Sequence, residues 1–182
     1  MVDYSDKGTV WYAMQTTYKR ELKAKSFLDS LGIENFIPMM QSITRVVGKK
    51  KVVVKPAIHN LIFVKAELTL LNHIKSRLNF IHNILIENNG RLSPIIVPER
   101  QMEQFINVVR TSLDKVIYVD LSLARLEKGT KVKITAGQFE GYEGVLMKVK
   151  GARDKRVVLN IECVVAIAIV SIDAELIEKI EN

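Results

Sequence analysis

The spacing of apolar residues changes near residue 128, and this change constrains the fold more than any other feature of the sequence. Before residue 128, two stretches carry apolar residues at positions i, i+3, i+4 and i+7, which places them on one buried face of a helix. After it, apolar and polar residues alternate in short runs separated by glycine, as in short strands joined by turns. The sequence therefore predicts two domains of different architecture.

The first 110 residues alternate between strand-like and helical segments. Val10–Thr16 is rich in β-branched and aromatic residues and predicts a first strand, in which Trp11 is expected to be a core residue. Helices are predicted at residues 19–31, where Gly32 follows as a cap, at about 71–81, and from Pro98 onward. Further strands are predicted at residues 34–45, 52–65 and 84–87. This order, β-α-β-β-α-β-α, predicts an α+β sandwich with a mostly antiparallel sheet over residues 1–110.

The rest of the sequence predicts a linker followed by a small barrel. Residues 111–127 form the linker, although the segment VIYV within it is strand-like. Several short strands then follow in about 50 residues, and a closed barrel at residues 128–182 would hide their edges. The apolar run Cys163–Ile172 could be covered on both faces, or the helix-like segment AELIEKI near the end could pack on it.

The charge balance favours an acidic partner. The chain has 27 Lys and Arg residues against 20 Asp and Glu residues, a formal net charge of +7. Nucleic acid is the first expectation and a membrane surface the second, while a charge that merely aids solubility is the alternative. The longest apolar run, Cys163–Val170, is too short to cross a bilayer, and no export signal opens the sequence. With a single cysteine and no disulfide, we expect a cytoplasmic protein, monomeric by default and not bound to membranes.

No motif for catalysis, metal binding or cofactor binding is present in the sequence. His59, His73 and His82 lack the spacing of a metal site, and the glycines of AGQFEGYEG do not match a phosphate-binding loop. Cys163 lies among aliphatic residues that would not activate a thiol. We therefore expect neither an enzyme nor a bound metal or cofactor.

Four segments together resemble the NusG/RfaH family of transcription elongation and antitermination factors. They are Val10-Trp11-Tyr12-Ala13 before a basic helix, KPAIHNLIFV at residues 55–64, SPIIVPE at residues 93–99, and the paired stretches 129–134 and 137–144, which fit a KOW motif. The resemblance implies a NusG-type N-terminal domain followed by a small SH3-like KOW β-barrel. It also implies a non-enzymatic factor that binds RNA polymerase and modulates pausing and termination. The alternative is a KOW-containing protein that binds RNA or ribosomes.

The resemblance assigns a polymerase-binding role to one turn and the strand after it. Family members bind the clamp helices of RNA polymerase through an apolar concavity, and Ile58, Leu61 and Phe63 are the residues to which that role carries over. Ile58 and Leu61 stand where the family has aromatic contacts. The alternative is that they are ordinary core residues. His59-Asn60-Leu61 replaces the family's aromatic turn, which leaves the clamp contact open.

Two groups of basic residues are candidates for contact with DNA of the transcription bubble. Arg45, Lys49, Lys50 and Lys51 could neutralise phosphates of the upstream duplex, a contact that weakens with salt, or they could form a solvated hairpin tip. Lys19, Arg20 and Lys23 could touch the displaced strand, as in sequence-specific family members. Tyr18 could stack on an unpaired base, but a half-buried aromatic side chain is the expectation.

The resemblance further implies that the KOW domain recruits a second factor, commonly termination factor Rho or ribosomal protein S10. Phe139, Val164 and Val165 are the candidate partner-binding residues. The aliphatic segment 163–166 stands where the family has a polar loop, which predicts altered or absent Rho binding and an operon-specific antitermination paralogue. The same apolar run could instead cover the polymerase-binding surface, as in the fold-switching branch of the family.

Overall fold

The computed structural model describes residues 8–113, 116–119, 129–148, 155–161, 164–168 and 174–180. Within these ranges the chain forms three α-helices: α1 (Glu21–Ser30), α2 (Leu68–Arg77) and α3 (Glu99–Thr111). The earlier strands are β1 (Val10–Thr16), β2 (Asn35–Phe36), β3 (Met39–Val46), β4 (Lys49–Pro56), β5 (Leu61–Ala66), β6 (Ile81–Asn83), β7 (Leu85–Asn88), β8 (Arg91–Pro94) and β9 (Ile96–Val97). The later strands are β10 (Ile117–Val119), β11 (Thr130–Ile134), β12 (Glu143–Lys148), β13 (Lys155–Ile161), β14 (Val165–Ala168) and β15 (Ile177–Lys179). None of the helices in the described part is long and apolar enough to cross a membrane.

The chain divides into two compact units. Unit 1 consists of Met1–Met39 and Val54–Met102, and unit 2 consists of Met40–Val53 and Glu103–Asn182. The linker predicted at residues 111–127 lies partly outside the described residues, so the domain boundaries of the sequence analysis stay a prediction.

Unit 1 contains an antiparallel sheet with β1 at its centre. The strand order is β2-β5-β1-β6, and β9 also pairs with β1. In the β1–β5 register, Ala13 lies opposite Phe63 and Gln15 lies opposite Leu61. The mixed α/β architecture and the mostly antiparallel pairing predicted for this region are confirmed.

Both faces of β1 are buried. Tyr12 and Met14 face a core cluster to which α1 contributes Ala24 and Leu28 and α2 contributes Leu71. On the other face of β1, Trp11 and Ala13 are also buried, as predicted for Trp11. Each large apolar side chain that is fully buried in this way contributes about 1.5–3 kcal/mol. The central position of β1 therefore explains its near-continuous apolar sequence.

Several predicted boundaries in the first 110 residues were wrong. Helix α1 begins at Glu21 instead of residue 19, because Tyr18 and Lys19 both have positive φ angles that a helix does not allow. The predicted helix at 71–81 ends at Arg77, and Ile81 instead opens β6. The predicted strands 34–45 and 52–65 are divided into β2 to β5, with a turn at Asn60, where φ is +65°. On α1 the predicted stripe is only partly buried, since Leu31 is exposed.

The later part of the chain forms an antiparallel sheet. Its strand order is β10-β14-β13-β12-β11-β15. Strands β12 and β13 approach closely at Gly144, where an added Cβ atom would lie 2.7 Å from the Val158 carbonyl oxygen. The predicted alternating strands are confirmed in β11, β12 and β13, and VIYV contains β10. AELIEKI is not a helix: a short 3₁₀ helix at Ala174–Leu176 is followed by β15, which pairs with β11. The KOW barrel stays a prediction.

Candidate nucleic-acid interface

The turn between β1 and α1 has an unusual backbone. Tyr18 and Lys19 have φ angles of +55° and +53°. For residues other than glycine, this left-handed conformation costs on the order of 1–2 kcal/mol each. Two such residues in succession require support from the surrounding structure.

Asn60 and Phe80 supply that support from two other segments of unit 1. The Lys19 backbone N–H donates to Asn60 Oδ1 at 2.7 Å. The backbone N–H of Thr16 donates to the Asn60 carbonyl at 2.8 Å, and that of Thr17 donates to the Phe80 carbonyl at 3.0 Å. The turn is therefore tied to the residue before β5 and to the residue before β6.

The Arg20 side chain is also fixed in this turn. Its Nη2 donates to Thr17 Oγ1 at 2.7 Å, and its Nε donates to the Thr17 carbonyl at 3.1 Å. The guanidinium carbon lies 4.2 Å from the ring centroid of buried Phe80 and 5.4 Å from that of Tyr18. Lys23 Nζ lies 5.8 Å from the Phe80 ring centroid. Of the predicted cations, Arg20 therefore lies near both rings, Lys23 lies near Phe80, and Lys19 follows Tyr18 in the chain.

Tyr18 is displayed to solvent instead of packed into the protein. Its side chain is 87% exposed, so the expectation of a half-buried aromatic was wrong. The left-handed backbone directs the ring outward, and its neighbours are cationic. An exposed aromatic ring beside cations is the arrangement on which unpaired nucleic-acid bases stack. We call Thr17, Tyr18, Lys19, Arg20 and Lys23 the tyrosine platform.

A buried carboxylate lies beneath the tyrosine platform. Glu21 is buried, and its Oε2 accepts a hydrogen bond from Thr16 Oγ1 at 3.5 Å. His59 Nδ1 lies 3.3 Å from Glu21 Oε1. Sequence reasoning missed Glu21, Asn60 and Phe80, and only Asn60 carried a local signal, since Asn tolerates positive φ in turns.

The hairpin of β3 and β4 carries the second predicted group of cations. Its turn consists of Val47 and Gly48, with φ angles of +49° and +77°. Positive φ at both central positions defines a type I′ turn, which usually contains Asn-Gly or Gly-Gly. A β-branched valine there costs on the order of 1–3 kcal/mol, yet its side chain is 96% exposed. The predicted cations Arg45, Lys49, Lys50 and Lys51 are all exposed near this turn.

The three residues predicted to bind polymerase differ in exposure. Phe63 is fully buried and Leu61 is 4% exposed. In the β1–β5 register, Phe63 is the partner of Ala13 and Leu61 is the partner of Gln15. Ile58 is only half-buried. Leu61 and Phe63 are therefore core residues in this structure, and Ile58 alone of the three offers apolar surface. A polymerase contact at these positions stays a prediction.

The residues predicted to bind a KOW partner lie partly outside the described structure. Phe139 is buried, and its ring centroid lies 5.7 Å from that of Tyr142. Asn107 Nδ2 donates to the Tyr142 hydroxyl at 2.6 Å. Val164 is half-buried, while the Val165 side chain and most of the apolar run 163–172 fall outside the described part. Phe139 thus contributes to packing, and the partner-binding role stays a prediction.

A polar cluster holds the start of α3. Lys65 Nζ lies 2.8 Å from Glu99 Oε1 and 3.5 Å from Glu34 Oε2. Trp11 Nε1 also donates to Glu99 Oε1, at 3.4 Å. The hydrogen bond from Lys65 lowers the pKa of Glu99 below its ordinary value, and the same bond raises the pKa of Lys65. These contacts are structural, and no sequence pattern indicated them.

Known proteins were compared with this chain by structure and by sequence family. The chain is similar to Thermotoga maritima NusG, solved for its domain interaction, with 19% identity, a TM-score of 0.48, and 95% of this chain and 98% of that chain covered. It is also similar to the MjSpt4:Spt5 complex in conformation B, with 15% identity, a TM-score of 0.28, and 94% and 97% covered. No curated protein matches the sequence. Residues 9–106, more than half of the 182 residues, match the family model of transcription termination factor nusG. The chain belongs to the NusG family, whose members are non-enzymatic transcription factors.

Proposed function

We propose that this protein is a transcription elongation factor that binds RNA polymerase through its N-terminal region and modulates pausing and termination. The observation that carries the proposal is the tyrosine platform, which lies within the segment that matches the NusG family. In this proposal the platform contacts the displaced DNA strand of the transcription bubble. The effect is antitermination on particular operons.

The chemistry of the platform suits an unpaired strand. A flipped or unpaired base has a free face, and base–aromatic stacking is worth about 1–3 kcal/mol per base. Lys19, Arg20 and Lys23 add positive charge next to the ring, where strand phosphates would pass. Because hydrogen bonds to Asn60 and the Phe80 carbonyl hold the turn, little ordering is left to be done on binding.

The proposed polymerase contact centres on Ile58. This residue stands two positions before Asn60, in the turn between β4 and β5. Its half-buried side chain offers apolar surface that a protein partner can cover. Leu61 and Phe63 support that turn from the core and are not themselves contact residues in this proposal.

The C-terminal region is proposed to be a KOW domain that recruits a second factor. Ribosomal protein S10 or Rho would bind near Val164 and Val165. The aliphatic residues at 163–166 stand where the family has a polar loop, and this supports weakened Rho binding and a specialised paralogue. Retention of Rho at the level of a housekeeping homologue would contradict that part of the proposal.

Retention of core RNA polymerase by the immobilised full-length chain tests the proposal. The wild-type chain should retain the enzyme, and an Ile58→Glu variant should lose most of that retention because it adds a charge to the proposed apolar contact. Leu92→Glu is the matched control, since it adds the same charge at another apolar residue of unit 1. Leu92 is exposed and lies in β8. It should bind like the wild type.

Two results would contradict the polymerase proposal. No retention by the folded wild-type chain would reject it, and co-sedimentation with ribosomes would then favour the RNA-binding alternative. Equal loss in Ile58→Glu and Leu92→Glu would remove Ile58 from the contact. Circular dichroism of each variant shows whether it is folded before the result is interpreted.

A further inference from the structure

All the charged residues of the β3–β4 hairpin are basic. No Asp or Glu occurs between Glu34 and Glu67. Within the hairpin, the basic residues are Arg45, Lys49, Lys50, Lys51 and Lys55. No ion pair involves them among the described residues, so their charge is available to a polyanion.

One face of the same hairpin is apolar and exposed. The two-residue turn places Ile43 opposite Val52, and the hydrogen bond from Thr44 Oγ1 to the Lys51 carbonyl at 3.5 Å agrees with that register. Ile43, Val52 and Val54 are all exposed. Arg45 and Lys50 follow on this face towards the turn, because strand side chains alternate. Along this face, the aliphatic residues lie far from the turn, the cations lie next to it, and Val47 lies in the turn itself.

The valine at position 47 is not explained by a need for solubility. A turn of this type prefers Asn or Gly, and either would be less strained and more soluble than an exposed valine. The structure instead presents a strained aliphatic side chain at the tip of a cationic ribbon. Strained residues of this kind cluster at active sites, ligand clamps and switch regions.

We propose that the β3–β4 hairpin is a β-ribbon that enters the minor groove of duplex DNA, with Val47 as an apolar wedge at a base step. The flanking cations would neutralise phosphates on both sides of the groove. Proteins that bind this groove commonly combine cations with an inserted aliphatic residue, and they kink the duplex. The inference rests on the proposed function, because it specifies how the hairpin of the proposed transcription factor binds DNA.

The composition of the hairpin favours a duplex over a single strand. Residues 39–56 contain no aromatic residue on which an unpaired base would stack. The minor groove is about 6 Å wide, and a ribbon of two strands about 4.8 Å apart with their side chains does not fit without widening it. Insertion of the ribbon must therefore bend the DNA. Attraction between the cations and the phosphates alone would not require a bend, so bending of the duplex distinguishes the two.

The test uses the full-length chain and a duplex of about 30 base pairs with a fluorophore at each end. Binding is followed by anisotropy and bending by energy transfer between the ends. Val47→Asn creates the preferred Asn-Gly turn, so its melting temperature should equal or exceed that of the wild type. It should nevertheless lose most of the bend and bind the duplex about fivefold or more weakly, because the apolar wedge is gone.

Two variants separate the wedge from charge and from general apolar exposure. Lys49→Gln/Lys50→Gln should lower the slope of log K against log salt by about 0.9 per lost phosphate contact. Leu92→Asn changes an exposed leucine in another hairpin and should leave both affinity and bend unchanged.

Three results for Val47→Asn would overturn the inference. The first is an unchanged bend of the duplex. The others are a loss of affinity for single-stranded DNA larger than that for duplex, and a loss of affinity for anionic phospholipid vesicles equal to that for duplex. The assay contains no polymerase, and the Ile58→Glu assay contains no DNA. Failure of one therefore leaves the other result intact.

Discussion

The tyrosine platform and the β3–β4 hairpin are both basic, and both contain positive φ angles outside glycine, but they differ in how that strain is supported. Tyr18 and Lys19 are held by hydrogen bonds to Asn60 and to the Phe80 carbonyl. Val47 lies in a two-residue turn between strands that pair only with each other among the described residues. If both surfaces bind DNA as proposed, the first is held in place by other segments before binding, whereas the second is held only by its own two strands.

The two regions also differ in their acidic residues. Glu21 is buried below the platform and contacts Thr16 and His59, so the platform combines cations with an internal carboxylate. The hairpin has no carboxylate at all. Binding at the platform should therefore depend on the shape and stacking of one side chain, and binding at the hairpin on salt. The Tyr18 variants below test the stacking side of this difference, and the Lys49→Gln/Lys50→Gln variant described above tests the salt side.

The largest expected effect is the loss of single-strand binding in Tyr18→Ala. Removing the exposed ring should weaken the complex of the full-length chain with a short labelled DNA strand by about 1–3 kcal/mol, or about 5- to 150-fold, which is the worth of one stacked base. Fluorescence anisotropy at fixed salt measures the change. Because Tyr18 is exposed, the substitution should not lower the melting temperature.

Tyr18→Phe is the matched control for this prediction. It keeps the ring and removes only the hydroxyl, so it should bind the strand within about twofold of the wild type if stacking is the interaction. A similar loss in Tyr18→Phe would indicate hydrogen bonding by the hydroxyl. Full binding by Tyr18→Ala would show that the platform is not a stacking site.

A smaller effect is expected when the support of the platform is removed. Asn60→Ala forces alanine into a left-handed conformation and removes the acceptor for the Lys19 N–H, so it should lower the free energy of unfolding by about 1–2 kcal/mol. Asn60→Gly permits the same φ angle and loses only the side-chain acceptor, so it should cost about 1 kcal/mol or less. Urea unfolding of both variants measures the difference.

The contrast with the hairpin makes this result decisive. Val47→Asn should keep or raise stability, since it creates the preferred Asn-Gly turn and, among the described strands, β3 and β4 pair only with each other. If Asn60→Ala and Asn60→Gly were equally stable, the left-handed backbone at Asn60 would not be what supports the platform. The comparison between the two regions would then lose its physical basis.

Sequence patterns predicted the framework of unit 1 better than its surface. Apolar periodicity correctly indicated a buried Leu28 on α1 and a buried Met102 on α3, and β-branched and aromatic content indicated β1. These features depend on neighbours close in sequence. Family resemblance then indicated the cations at Arg20 and Lys23, which the structure brings together at the Phe80 ring.

The remaining features depend on contacts between distant segments. Tyr18 is exposed because Asn60 and Phe80 fix its turn, and neither is near it in sequence. For Leu61 the sequence left a partner contact and a core position both open, and only the pairing of its strand with β1 decided for the core. The segment AELIEKI has helical spacing, but pairing with β11 makes part of it a strand. Local preference is weaker than tertiary pairing in each case.

The smallest expected effect is on the stability of the protein at low pH. It again distinguishes unit 1, which contains the Lys65–Glu99 ion pair, from the hairpin, which has no carboxylate. The pKa of Glu99 is lowered by Lys65, so its contribution to stability is present above the unfolded value of 4.5 and is lost as pH falls through the folded pKa. Half of the Glu99 side chain is exposed, so the pair is worth only about 0.2–1 kcal/mol at neutral pH.

Glu99→Gln should therefore lower the free energy of unfolding slightly at pH 7 and have no effect of this kind once Glu99 is protonated in the wild type. The fall in stability between pH 5 and pH 3 should be shallower in the variant, as measured by urea unfolding at each pH. Lys49→Gln is the control, because the hairpin has no carboxylate that could titrate with it. A parallel pH profile for Glu99→Gln and the wild type would show that the Lys65–Glu99 contact does not contribute to folding, and the start of α3 would then depend on apolar packing alone.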